Sequence, residues 1–253
     1  MPFTLTHMLA IVPIHKFANK LPFSALAIGT FIPDFALFYP ILSYQFSHSL
    51  MGLIAYCLPL GIVVYLLFEW IGKQLLIDIS PIYIASRLQD YKTNPVEYSL
   101  SNFMRVGLAV VLGSLTHIIW DGFTHSNGVF VALFTWMADD VTVYNVSIAW
   151  YKAFQYISSL IGLPILAYIF YKNIKLNKPA KVKRATGYSI AFIIMLLGAP
   201  ALLGWFYLNQ NMSAHLVVAK TIIYSIAIEI IGFFILSFIY YILKTNESSV
   251  YKN

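Results

Sequence analysis

Apolar residues along this chain come in long unbroken blocks, with polar positions gathered between the blocks rather than alternating within them. Six blocks are apparent: Ser24–Leu42, Ser49–Ile71, Phe103–Trp120, Ala153–Tyr171, Gly187–Leu208 and Val217–Leu243. A helix needs ~20 apolar residues to cross the hydrocarbon of a bilayer, and a barrel strand about half that. The blocks are therefore too long for strands. A spanning backbone must also satisfy its own hydrogen bonds, so the pattern predicts an all-α, polytopic membrane helix bundle of about six segments. The first block carries Pro33-Asp34 in its middle and Pro40 near its end. Proline removes a backbone donor and disfavours helix at the residue before it, so this segment is expected to be kinked or broken. Pro59 predicts a milder kink in the second.

The stretches between the blocks set the expected topology. Lys172, Lys175, Lys178, Lys181, Lys183 and Arg184 crowd one short loop, which the positive-inside tendency places in the cytoplasm. Counting outward from it, the C-terminus is cytoplasmic, and residues 121–151 lie outside with His48 on the same side. If Ser24–Leu42 crosses fully, the N-terminus is inside and His7 is cut off from that side. His7 could join the others only if residues 1–42 form a re-entrant hairpin. Phe46-Ser47-His48-Ser49 reads as a turn with a serine able to cap the next helix. Gly72–Asn102 mixes apolar and charged residues, as a surface-lying segment or a solvated loop would. No repeat is visible, so a single domain over 1–253 is expected. Residues 1–23 lack the small-residue pattern of a cleavable leader.

Composition sharpens this picture. Of 253 residues, 60% are hydrophobic and 10% charged, with mean hydropathy +0.76, whereas soluble domains carry about 25% charged residues. The net charge of +6 is concentrated in the basic loop, which makes it a topology determinant and argues for membrane lipids rather than nucleic acid as partners. Cys57 is the lone cysteine. This excludes an internal disulfide and a thiolate zinc site, so any metal must be held by His and carboxylate.

The sharpest chemical signal is Gly113-Ser-Leu-Thr-His117-Ile-Ile-Trp-Asp121-Gly-Phe-Thr-His125-Ser-Asn-Gly128. On a helix, His117, Asp121 and His125 fall within about 80° of one face at roughly 100° per residue. A His and a carboxylate one turn apart can grip one divalent ion. The competing use is a buried pair in which Asp121 only orients His117. Ionisable groups in a membrane-like segment are costly, which favours function. Asp34, His48 and His7 are the residues that could add ligands, with Asp34 alternatively capping a half-helix. Asp121 and His125 are the candidates for moving protons.

Further residues carry a resemblance. Met-Pro-Phe-Thr at 1–4, Thr6-His7, Leu21-Pro22-Phe23-Ser24-Ala25-Leu26, Gly29, Pro33-Asp34, His48-Ser49-Leu50-Met51-Gly52-Leu53, the 113–128 stretch, Val143-Tyr144 and Gln155 to Ser159 resemble an uncharacterised bacterial integral membrane family, domain of unknown function 4184. The likeness runs from residue 1 to about 171 and leaves the basic loop and last two blocks outside it. More loosely, the pattern is similar to inner-membrane metal-dependent hydrolases and, more distantly, to zinc-dependent phospholipase C. The resemblance implies a His/carboxylate cluster of His7, Asp34, His48, His117 and Asp121, with His125 as a further member. It implies a divalent metal, zinc being the ion in view, and a bacterial inner-membrane location. Where the pattern expects Gln-His-x-Ser-Ser, this chain has Gln155-Tyr156-Ile157-Ser158-Ser159, so one ligand or proton carrier is missing. The expected function is a membrane-embedded metal-dependent hydrolase acting on a lipid or phosphoester. The alternative is a non-enzymatic transporter or scaffold with a structural or proton-relay His/Asp cluster, and a homo-oligomer is open to either.

Overall fold

A computed structural model describes residues 4–92, 99–143, 146–182 and 184–250. Among the described residues, five helices are long and apolar enough to cross a membrane: Leu50–Ile79, Leu100–Thr124, Trp150–Leu176, Thr186–Leu208 and Ala214–Thr245. The first apolar block is the exception among the six. Its helix Phe23–Gly29 stops before Pro33, a tight 3-10 turn Ile32–Asp34 follows, and Phe35–Phe38 is one further turn. The whole apolar stretch Phe23–Phe38 is too short to span. Proline explains the break, because Pro33 offers no N–H to continue the ladder. The described span count is thus five, and residues 4–47 form a set of short helices and turns.

The chain folds into two compact units. The first comprises Met1–Ala36, Pro40–Tyr65 and Glu97–Asn173. Its centre is the packing of Phe23–Gly29 against Leu100–Thr124, made possible by glycine on both sides. A Cβ on Gly29 would sit 2.4 Å from the Val110 carbonyl oxygen, and one on Gly113 2.2 Å from that of Leu26. Small residues let backbones approach this closely. Ser114 Oγ then donates to the Gly29 carbonyl at 2.9 Å. Ile32, Leu53 and Cys57 form the buried core beside this contact, with Ile28, Leu115 and Ile118 packed on it. The span beginning at Leu50 has Ser49 as its cap, accepting from the Gly52 N–H at 2.9 Å, and widens into a π-turn at Leu53–Cys57.

Between the second and third spans of this unit, a short helix Val129–Leu133 and a turn Thr135–Ala138 lead into a two-stranded antiparallel hairpin, Asp140–Val143 with Val146–Ala149. Among the described residues, the hairpin is the one departure from the all-α expectation. Its alternating Val, Thr and Ile suit a strand, but at four residues each the strands are too short to stand out in a hydrophobic profile. Tyr144 of the Val143-Tyr144 motif, Met1-Pro2-Phe3 and Lys183 lie outside the described residues.

The second unit comprises Leu37–Tyr39, Leu66–Val96 and Ile174–Asn253. The helices Thr186–Leu208 and Ala214–Val250 pack along each other, with Gly232 giving room to Met195. The helix from Leu50 continues past the expected Ile71 to Ile79, where Gly72 lies against Phe233. Beyond it, Ile82–Arg87 and Gln89–Lys92 are short helices, so the described part of Gly72–Asn102 is largely helical.

Candidate metal centre

The first unit brings Asp34, His48, His117 and Asp121 together, each offering one ligand atom and all four atoms lying within 4.8 Å of one another. Each side chain is aimed by a distinct local feature. His117 is fully buried in the Leu100–Thr124 helix, and its Nδ1–H donates to the Thr30 carbonyl at 2.8 Å. That carbonyl belongs to the end of the Phe23–Gly29 helix, where backbone oxygens lack helical partners. The Gly29–Gly113 approach carries it into reach. With the proton on Nδ1, the Nε2 lone pair of His117 points into the cluster.

His48 follows the turn Tyr44–Ser47. Its Nδ1–H donates to the Tyr44 carbonyl at 3.0 Å, with Ser47 Oγ 2.9 Å away. Its Nε2 is likewise left as a lone pair. Ser47 Oγ in turn lies 2.9 Å from the Pro33 carbonyl, tying this turn to the one bearing Asp34. Such outer contacts fix the tautomer and orientation of metal-binding histidines. Asp34 Oδ2 accepts from Thr4 Oγ1 at 2.7 Å, and Asp121 Oδ2 accepts from the Tyr44 hydroxyl at 3.1 Å. Burial, followed by the charges of Asp121 and Asp34, pushes the Tyr44 phenol well above its usual range, so it stays a donor.

The two imidazole nitrogens lie at similar distances from each other and from both carboxylates. His48 Nε2 and His117 Nε2 are 3.3 Å apart. His117 Nε2 is 3.3 Å and His48 Nε2 3.5 Å from Asp121 Oδ2. Asp34 Oδ1 is 3.6 Å from His117 Nε2 and 3.7 Å from His48 Nε2. Four ligands at about 2.0–2.1 Å from a tetrahedral ion are separated by roughly 3.3–3.4 Å. The spacing therefore fits one ion, and two imidazole nitrogens with two carboxylate oxygens form a donor set suited to a divalent metal. Two imidazole nitrogens and two carboxylates facing each other in a buried space are stabilised by positive charge, which a divalent ion or a ring proton can supply.

The remaining two candidates sit beside this group and face the other oxygen of Asp121. His7 Nε2 and His125 Nδ1 each lie 3.5 Å from Asp121 Oδ1, an atom that is buried without a hydrogen bond. The His7 ring stacks on His117 at 4.1 Å. Its presence follows from the broken first segment, which leaves residues 4–7 on the cluster. His125 caps the end of its helix in an extended conformation, and its Nε2 is 3.3 Å from Gln155 Nε2. Gln155 is buried, while Tyr156 is 55% exposed. The position where the resemblance expects histidine thus points away from the cluster, and Gln155 takes the inward place. Thr4, Tyr44 and the Thr30 carbonyl were not expected. Only Tyr44 left a trace, being one helical turn before His48.

The profile of a family described as "Domain of unknown function (DUF4184)" matches residues 1–244. The chain belongs to that family. No curated protein and no solved structure matches it. In this DUF4184 chain the match takes in all four convergent residues, both flanking histidines and the last two spans, well beyond the residue 171 at which the motif likeness fades.

Proposed function

We propose that this membrane protein is a metal-dependent hydrolase of the bacterial inner membrane, acting on a lipid or other phosphoester with zinc or a similar divalent ion. The observation that carries the reading is the 3.3–3.7 Å spacing of two imidazole nitrogens from each other and from two carboxylate oxygens in a buried site. A divalent ion held there would polarise the scissile group and, at a position beyond its protein ligands, would acidify a bound water to a pKa near ~7.

The chain's own residues have separable parts in that reaction. Asp34, His48, His117 and Asp121 would hold the ion. Tyr44 keeps its proton and fixes Asp121 by donating to Oδ2. His125 is the most solvent-exposed of the imidazoles around Asp121, with its side chain 25% exposed, which supports it as the carrier of a proton to or from the site. His7, buried against His117, supports the ring it stacks on.

A second reading, a non-enzymatic proton relay, draws on the line of His7, Asp121, His125 and Gln155. Metal analysis of purified protein, followed by hydrolysis assays on phosphoesters and phospholipids with and without chelator, separates the two. Near one ion per chain and chelator-sensitive turnover support the hydrolase. Protein that binds no divalent ion refutes it.

A further inference from the structure

The second unit holds a cluster that plays no part in that chemistry. Asp78 is 1% exposed, and both its oxygens accept from Lys92 Nζ at 2.5 Å. The Tyr240 hydroxyl also donates to it. Lys244 Nζ stands further off, 3.6 Å from Asp78 Oδ2 and 3.4 Å from the Tyr240 hydroxyl, with its side chain 42% exposed. One carboxylate is thus already matched by Lys92, and Lys244 is a surplus cation.

More positive charge is docked on the same segment. Arg87 lies over the Tyr83 ring at 3.9 Å, and its Nε is shut from solvent without a hydrogen bond. The basic loop is pinned here by its backbone: the Ala180 N–H donates to the Ser86 carbonyl at 2.8 Å and the Ala185 N–H to that of Asp78 at 3.3 Å. Lys181 and Arg184, both exposed, flank those two contacts. Among the described residues of this segment, the acids standing against these cations are Asp78 and the exposed Asp90 on the Gln89–Lys92 helix. A lock between helices needs one cation per carboxylate, so a lock does not account for the excess.

Depth identifies what would. Asp78 and Lys244 each lie one residue from the end of a span, Leu50–Ile79 and Ala214–Thr245. Span ends meet the level of the phospholipid phosphates. Leu76, Ile82 and Leu243 nearby are exposed apolar residues, at 41%, 63% and 52%, suited to acyl chains. We propose that Lys244, Arg87 and the loop cations Lys181 and Arg184 bind the phosphate headgroup of an anionic phospholipid, with Asp78 and Lys92 as the rigid base of the site. Charge-assisted hydrogen bonds to phosphate are the strong kind, and basic pockets between membrane helices on the cytoplasmic side favour acidic headgroups.

The test is native mass spectrometry of the detergent-purified full chain titrated with phosphatidylglycerol or with phosphatidylcholine of the same acyl chains. At least about fivefold tighter binding of phosphatidylglycerol is expected, falling toward parity in Lys244→Gln combined with Arg87→Gln, which leaves the Asp78–Lys92 pair intact. Asp78→Asn removes the negative charge, so the preference for phosphatidylglycerol should persist or rise. Equal binding of the two lipids by the native chain overturns the proposal, as does an unchanged preference in the double variant. Displacement of the lipid by millimolar inorganic phosphate would mark a free-phosphate site instead. Loss of thermal stability in Asp78→Asn with no preference for the acidic lipid would reduce the cluster to a helix lock.

Discussion

His48 Nε2 and His117 Nε2 face each other at 3.3 Å while both Nδ1 atoms are committed to backbone carbonyls, those of Tyr44 and Thr30. Two neutral imidazoles so arranged repel through their lone pairs unless a cation lies between them. A proton could serve, but it would join only two of the four atoms, whereas a metal ion engages both carboxylates as well.

Removing either ring should therefore cost the ion. If the native protein carries near-stoichiometric divalent metal, His117→Ala and His48→Ala are each expected to abolish it, read by elemental analysis after dialysis. A cluster that is only a hydrogen-bonded set would lose stability instead, with no metal to lose.

Tyr44 separates orientation from ligation. Tyr44→Phe keeps the ring against His48, tilted at 3.8 Å between centroids, and deletes the hydroxyl that donates to Asp121. Loss of such an outer contact typically weakens metal binding by about 10–100-fold. Titration in detergent against a metal indicator should show a shift in that range without loss of the folded protein, and an unchanged affinity would mean that the hydroxyl plays no part in holding Asp121.

The helix contact that delivers Thr30 to His117 can be tested by glycine substitution. Gly113→Ala puts a methyl 2.2 Å from the Leu26 carbonyl, a backbone atom with nowhere to go. Overpacking of this kind costs about 1–3 kcal/mol. A lowered unfolding temperature together with weakened metal binding is expected, since the Thr30 carbonyl moves with the helix. Gly198→Ala, with open space around it, should be neutral or mildly stabilising because alanine favours helix.

Much of this was legible in the sequence, for definite reasons. Long apolar blocks report spans because lipid demands them, and five of the six became helices of spanning length. His117 and Asp121 were legible because helical periodicity alone places them on one face. His48 and His7 were legible as possible further ligands, but that His7 reaches the group depends on how Pro33 breaks the first segment, a tertiary outcome that proline signals without directing. Thr30 contributes a main-chain oxygen, which no side-chain pattern can announce. Tyr156 was read as a missing ligand because the motif drew attention to its position, whereas the helix turns Gln155 inward and Tyr156 out.

The broken first segment has a topological consequence. If this segment does not cross, it stays on the side from which Leu50–Ile79 enters the membrane, and the exposed Lys20 is then expected with Asp140 rather than with the basic loop. In cells, Lys20→Cys should react with a membrane-impermeant maleimide from outside, and reporters fused after Asn177 and after Asp140 should read cytoplasmic and extracytoplasmic. Protection of Lys20→Cys in intact cells would restore a sixth crossing.

Asp34 decides whether that fold-back serves the site or only the backbone. Pro33 ends the helix there, and broken backbone at membrane depth is tolerated only where buried in protein or facing a watery cavity. Asp34 is 5% exposed, accepts from Thr4, and has His48 and His117 at 3.7 and 3.6 Å. Those distances are long for hydrogen bonds and right for neighbours on one ion. Asn in this position keeps the shape and can still accept from Thr4, but carries no charge and is a poor ligand. If Asp34 binds metal, Asp34→Asn should lower affinity sharply while the protein remains folded in the membrane. If it merely caps the turn Phe35–Phe38, Asn caps nearly as well, and neither affinity nor stability should change. Metal titration and thermal unfolding of the variant, measured in the same detergent as the native chain, distinguish these outcomes. Unchanged affinity would remove Asp34 from the ligand set, leaving three residues to hold the ion and making residues 4–47 a purely structural element.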